Sequence, residues 1–363
     1  MIWLLIFLLL LAGAFYLLVR QPPFGSLPRG VHLQRVRQSP HYRKGAFQNP
    51  EPTPVMVSRT AFFKTLVEFA RRGSSAGNPI LPIPAMGWRR EYEHAREALL
   101  IWFGHSSYFL RIDGVSVLVD PVFSAYASPF SFGSKAFAGT EIFRVTDFNS
   151  IDIVLITHDH YDHLDHATIV ALQSKTRHFI TSLGVGAHLE RWGVPAAHIT
   201  ELDWGQQAQH SGLTFTATPA RHFSGRSLLR YQSLWSGFVL QSATQRLFLG
   251  GDSGYGAHFR EIGEMYGPFD LAVLECGQYN EAWRHIHMMP EQTVLASIDL
   301  RARVLFPVHW GKFRLALHDW KDPIDRVVRA ASERGVMLTI PRLGQPIHLE
   351  KEMPLSFWWR PMA

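Results

Sequence analysis

Apolar and polar positions follow three regimes along this chain. Ile2–Val19 is an uncharged apolar run of 18 residues. At about 1.5 Å per residue it covers roughly 27 Å, close to the hydrocarbon thickness of a bilayer. Residues 20–60 are rich in Pro, Gly, Arg and Gln without apolar periodicity, and read as a juxtamembrane arm lying over the body. Over 60–72, Phe63, Leu66, Val67 and Ala70 recur at helical spacing before a stop at Gly73, which predicts an amphipathic helix. A Pro-containing stretch over 78–84 separates it from a main domain starting near Ala98. Short β-type segments then take over. Those at 98–103 and 108–112 bracket a turn, the one at 115–119 runs into Asp120-Pro121, and 151–156 reads as a buried strand ending in a polar cluster. Further strands are expected at 213–217, 237–241, 247–249, 271–274 and 304–308, and helices at 167–173, 184–192, 290–298 and 324–333. Strand meanders followed by interspersed helices predict an α/β architecture with two sheets in the middle and helices outside. The expected division is an anchor over 1–19, arm and amphipathic helix over 20–97, the main domain over 98–350 and an aromatic tail over 351–363.

Charge sharpens this division. Of 36 basic and 30 acidic residues, six basic ones (Arg20, Arg29, Arg35, Arg37, Arg43 and Lys44) and no acidic ones fall in the first 50 positions, which leaves 30 of each in the rest. The basic balance belongs to the arm, which argues for a membrane surface and against a nucleic-acid partner, whose binding domain would carry its own basic face. No cation precedes the apolar run and several follow it, so the positive-inside rule predicts a single-pass anchor with the body on the cytoplasmic side. A cleaved signal peptide competes through Ala12-Gly13-Ala14, but its n-region would lack a positive charge. Cys276 is the sole cysteine, so an intramolecular disulfide and a thiolate metal cage are excluded and any metal must be held by His and carboxylate. Cys276 itself reads as a small buried hydrophobe.

The chemistry gathers where apolar strands stop. Directly after Ile156 comes Thr157-His158-Asp159-His160-Tyr161-Asp162-His163. In extended backbone, residues two apart share a face, so His158 and His160 can grip one metal, while Asp162 and His163 begin the next element beside a second position. His222, Asp252 and His309 each follow a further strand-like run and are metal-competent.

These residues, HxHxDH followed by a distant His, an Asp in a GDxG turn and a His in PVHWG, resemble the signature of the metallo-β-lactamase superfamily over roughly 98–350. The segments FGHSSYFL, LITHDHYDHLD, PARHFSGR, FLGGDSGYG, HIHMMPEQ and FPVHWGKF resemble its branch containing N-acylphosphatidylethanolamine-hydrolysing phospholipase D and the RomA-like proteins. The resemblance implies a four-layer αββα sandwich. It further implies one metal held by His158, His160 and His222 and another by Asp162, His163 and His309, with Asp252 bridging. Asp162 and His287 are the candidate catalytic residues, His287 as a contact to substrate phosphate or leaving group. His105, Tyr161, Tyr255 and Trp310 are candidate substrate contacts, with ligand orientation for His105 and packing for the tyrosines as the competing roles.

Two divalent ions about 3.5–4 Å apart share a bridging water whose pKa falls toward neutrality, which generates a hydroxide nucleophile. Zn²⁺ is the first choice for His and carboxylate ligands, with Fe or Mn also compatible. The leading expectation is a membrane-associated phosphodiesterase of phospholipase D type acting on a glycerophospholipid. The aromatic stretch 123–137 together with Trp310 and Phe313 would line its apolar channel, and Phe357, Trp358 and Trp359 would sit at headgroup level. A tethered hydrolase of a lactone, cyclic phosphodiester or sugar phosphate is the alternative, and a non-catalytic metal-binding protein of the cell envelope the third. Oligomeric state stays open.

Overall fold

The computed structural model describes residues 1–72, 77–132 and 134–362. The chain opens with α1 (Ile2–Val19), α2 (Gly30–Gln38), a small hairpin β1 (Tyr42–Arg43) and β2 (Ala46–Phe47), and α3 (Arg59–Arg72). The expected stop at Gly73 lies outside the described residues. The first half of the body carries β3 (Leu99–Trp102), β4 (Tyr108–Ile112), β5 (Val115–Val119), β6 (Ile151–Ile156), α4 (His166–Leu172), β7 (Thr176–Ser182), α5 (Gly186–Arg191) and β8 (Ile199–Leu202). The second half carries β9 (Gln207–His210), β10 (Leu213–Pro219), β11 (Ser236–Gln241), β12 (Arg246–Leu249), α6 (His258–Tyr266), β13 (Leu271–Glu275), α7 (Pro290–Asp299), β14 (Leu305–Val308), α8 (Asp322–Arg334) and β15 (Pro346–His348).

Two sheets result, of strand order β15-β3-β4-β5-β6-β7-β8 and β14-β13-β12-β11-β10-β9. Their inner faces share one apolar core, in which Trp102 of β3 meets Phe306 of β14 edge to face at 5.9 Å. Helices follow the parallel strands on the outside, which is the expected four-layer arrangement of helices on two packed sheets. β6 shows why the pattern was readable. Its sequence IDIVLI is buried apart from a half-buried Asp152, whose carboxylate accepts the Ser116 N–H and hydroxyl at 2.9 and 2.8 Å. In α8, Pro323 sits in the first turn and Gly335 closes the last at φ +66°, the left-handed position a glycine adopts without strain.

Direction matters most for function. β5 to β8 run parallel in one sheet, and β10, β12, β13 and β14 share one direction in the other. Their carboxyl ends therefore meet along a common edge, where ligand sites of α/β sheets form.

Of the two terminal segments, the arm lies over the body as its composition suggests, and the tail departs from its reading. Residues 20–60 are ordered against the body: Val36 and Phe47 are buried in a small cluster with Trp204, Leu234 and Trp235. Trp358 and Trp359 of the aromatic tail turn inward instead of toward a headgroup layer, and Phe357 stays 38% exposed. Trp358 stacks on Trp310 at 5.4 Å, and the fully buried Trp359 donates its indole N–H to Asp325 at 2.9 Å. The indoles fill a gap beside α8, so core packing outweighs exposure for them.

Candidate metal centre

The loop after β6 and the ends of β10, β12 and β14 bring seven sequence-predicted residues into two touching groups. In the first, the Nε2 atoms of His158 and His222 lie 3.0 and 3.1 Å from Nδ1 of His160. In the second, His163 Nε2 lies 3.6 Å and His309 Nε2 3.9 Å from Oδ2 of Asp162. Asp252 stands between them. Its Oδ2 is 3.8 Å from Nε2 of both His158 and His222, and its Oδ1 is 3.2 Å from His163 Nε2 and 3.0 Å from His309 Nδ1. Each group offers four ligand atoms within 4.8 Å of one another, His105 completing the second and Asp252 the first.

The described residues leave part of this ligand set unsatisfied. A neutral imidazole has one N–H, so three ring nitrogens meeting head to head cannot all be paired with one another. His163 Nε2, His309 Nε2 and Asp252 Oδ1 are buried without a hydrogen-bond partner. Buried polar atoms are rarely left this way, and divalent cations would satisfy them with ligands of the right type. The electrostatics agree for three of the ligand histidines, while His163, against the burial that opposes its charge, is held well above the usual range by Asp252, Asp162 and Asp120. Burial holds His158, His222 and His309 well below the usual imidazole range, in the neutral form that a ligand needs. Burial works against ionising Asp162 and Asp252, yet the His163 imidazole beside them holds both well below the usual carboxylate range.

A second layer of bonds aims the ligands. His163 donates Nδ1–H to Asp120 at 2.7 Å, and Thr157 donates its hydroxyl to the same carboxylate at 2.6 Å while pairing with His158 Nδ1 at 3.0 Å. His222 donates Nδ1–H to the Ile286 carbonyl at 2.8 Å, Ser106 pairs with His309 Nδ1 at 2.9 Å, and His105 donates to Asp162 at 2.9 Å. Such partners fix the ring orientation of metal-binding histidines. The backbone is strained to deliver them: Asp120, His105 and His309 adopt φ of +40°, +53° and +69°. In the turn carrying Asp252, a side chain at Gly254 would meet the His285 carbonyl at 2.1 Å, so only glycine fits.

His287 joins the centre through Glu275 at the end of β13, its Nδ1 lying 3.0 Å from Oε2. Burial lifts the Glu275 carboxyl to about 7. Burial also opposes charge on His287, but the Glu275 carboxylate beside it raises the imidazole to about 9. Above the centre opens a cavity of 320 Å³, with His160, Asp162, Asp252, His287 and His309 on its floor and Val55, Met56, Phe69, Phe223, Trp283 and Leu315 in its walls.

The four residues predicted as substrate contacts do not line this cavity. His105 is fully buried behind Asp162, and Trp310 is buried between Trp102 and Trp358. Tyr255 donates its hydroxyl to Asp299 at 2.6 Å and Tyr161 to the Arg226 carbonyl at 2.5 Å. Phe313 is likewise buried. Conversely, Asp120, Ser106 and Glu275 went unassigned in the sequence. A carboxylate closing a strand on the shared edge was the signal available for Asp120 and Glu275.

Residues 116–310 match the family described as Beta-lactamase superfamily domain. An uncharacterized protein of Mycobacterium tuberculosis is 42% identical over 327 residues, covering 89% of this chain and 88% of its own. N-acyl-phosphatidylethanolamine-hydrolyzing phospholipase D 1 of Caenorhabditis elegans is 31% identical over 241 residues, covering 62% of this chain and 67% of its own, which fits the branch the motifs resemble. Among solved structures, Igni18, a metallo hydrolase of the archaeon Ignicoccus hospitalis, superposes with a TM-score of 0.54 at 24% identity over 70% of this chain and 99% of its own, a likeness of fold.

Proposed function

The chain belongs to the beta-lactamase superfamily and is a metal-dependent hydrolase of it, and from that premise we propose a membrane-associated phosphodiesterase of phospholipase D type that cleaves a glycerophospholipid. The observation that carries the reading is the pair of His/Asp groups sharing Asp252 beneath a cavity with apolar walls. His158, His160 and His222 would hold one ion, Asp162, His163 and His309 the other, with Asp252 on both. Bound there, two divalent ions, Zn²⁺ by ligand preference, would acidify water and neutralise charge growing on a phosphoryl oxygen. The protein's own part is positioning and proton handling. His287 spends Nδ1 on Glu275, so Nε2–H is the proton it offers to a phosphoryl oxygen or to the departing alkoxide. The apolar walls exclude water, which strengthens each of these interactions. The likeness to the C. elegans phospholipase D and the apolar α1, by length and composition able to span a bilayer, support the lipid substrate and the membrane setting.

The size of the cavity favours a second reading. At 320 Å³ it takes a phosphodiester with a headgroup but not two acyl chains, which suits a tethered hydrolase of a lactone, cyclic phosphodiester or sugar phosphate equally well. The two part on presentation. Purified full-length protein should cleave N-acylphosphatidylethanolamine or phosphatidylcholine faster in vesicles than as short-chain monomers, releasing phosphatidic acid. Preference for soluble esters without response to an interface would select the second reading.

A further inference from the structure

The junction between α1 and the body is stitched. The Arg20 carbonyl, one residue past α1, accepts Arg191 Nη2 at 2.7 Å, and the Pro22 carbonyl accepts the Trp192 indole at 2.8 Å. The Pro23 carbonyl accepts Nε and Nη2 of the buried Arg226 at 3.0 and 2.7 Å, and the Ser26 N–H donates to His188 Nδ1 at 3.0 Å. Four residues span at most about 14 Å, so Pro23 cannot stand further than that from the end of α1.

Arg226 also reaches the catalytic edge. Its Nη1 donates to the carbonyls of Asp159 and Leu164, both at 2.7 Å, and its guanidinium lies 4.1 Å from the ring centroid of Tyr161, between His160 and Asp162. Phe24 lies 6.4 Å from that same ring and 6.0 Å from Phe130. The end of α1 and the metal loop are thus neighbours through one guanidinium.

Around this junction the surface is apolar where a water-facing surface has no reason to be. Leu228 and Leu229, at the tip of the loop that carries Phe223 into the cavity wall, are 77% and 58% exposed, and Phe132 beside Phe130 is 68% exposed. On the other rim, α3 sends Phe69 into the cavity wall and leaves Phe63 and Leu66 62% and 55% exposed, among Arg59, Lys64 and Arg71. Apolar side chains with interspersed cations suit a helix lying at the headgroup boundary of an anionic membrane.

We propose that α1 is a rigid mount, not a loose tether, and that the bilayer whose core it crosses covers Phe132, Leu228 and Leu229 on one rim and α3 on the other, so that the metal cavity opens at headgroup level. This rests on the membrane half of the function proposed above. Acyl chains then stay in the bilayer while the phosphodiester alone enters the small cavity.

The buried Cys276 is the chain's sole cysteine, so single introduced thiols can be labelled. A fluorophore on Leu228→Cys, Phe132→Cys or Leu66→Cys is compared with one on Thr244→Cys. Thr244 is exposed in the β11–β12 turn, which the Asp113 carboxylate ties to the β4–β5 turn at the strand ends opposite the metals. In full-length protein in nanodiscs of phosphatidylcholine and phosphatidylglycerol, headgroup nitroxide lipids should quench the three rim labels several-fold more than the Thr244 label. Equal quenching in protein that copurifies with the discs overturns the mount while leaving the hydrolase reading intact. Protein that never enters the discs contradicts the membrane reading itself, and the mount with it.

Discussion

The floor and the rim of the cavity are built by opposite means. On the floor, every residue of the two proposed ligand sets sits just beyond a core strand and most are held from behind by another buried group, as Asp120 holds His163 and Ile286 holds His222. The rim comes from α3, the irregular stretch around Val55 and Met56, and the loop past Phe223, where several large side chains face outward; Arg226 fastens the loop, and Arg221 and the Val57 N–H fasten the stretch before α3. A rigid floor keeps ligands within tenths of an ångström, which chemistry demands. A loosely packed rim can yield to a substrate and is where specificity is set.

Breaking the floor should therefore cost the most. Asp252→Ala removes the one carboxylate that faces both groups and should reduce hydrolysis by about 10³-fold or more, with bound metal falling when measured by inductively coupled plasma mass spectrometry. Next comes proton handling: His287→Ala should lower kcat about 10²-fold with metal content unchanged, and a loss of metal would instead assign His287 to the third cluster of possible ligands, with Asp252, Glu275 and His309. Asp120→Asn, one layer behind, should weaken metal binding about 10- to 100-fold in a chelator competition, because it leaves His163 without its orienting carboxylate.

Rim changes should act on substrate choice instead. Phe69→Asp should depress turnover of long-chain lipid several-fold and leave a short soluble phosphodiester nearly untouched; equal loss on both would place Phe69 in the chemistry. The smallest effect lies furthest out, where His32 of α2 bridges Glu201 at 3.0 Å and Glu190 at 2.8 Å. Hydrogen bonding to Glu201 raises His32 from 6.5 to about 9. A raised folded-state pKa adds stability that is complete below about pH 6.5 and is lost as pH climbs through about 9. For this partly exposed group the amount is about 1 kcal/mol or less. Limited proteolysis of the arm should accelerate across that window in the native protein and show no such dependence in His32→Gln.

How legible all this was depends on range. Ligands that close apolar strands were readable, because a strand like Ile151–Ile156 announces itself and the residue after it inherits the edge. Strands β7, β8, β9 and β15 and the helix α2 within the arm were not. β9 (QAQH) is polar apart from Ala208, and α2 owes its place to Val36 in a distant cluster and to His32 meeting Glu201 across 169 positions. Adjacency also misled: Trp310 follows His309 directly, yet the left-handed turn at His309 sends the indole into the core. Side-chain direction at such a turn is a property of tertiary packing, and no spacing rule carries it.

The most direct test of the account is a metal titration of the chelator-stripped protein against phosphodiester hydrolysis. Activity should return with added Zn²⁺ and plateau at about two ions per chain, as two ligand groups sharing Asp252 require. Hydrolysis by the metal-free protein, or a plateau at one ion with full activity retained in Asp252→Ala, would contradict it.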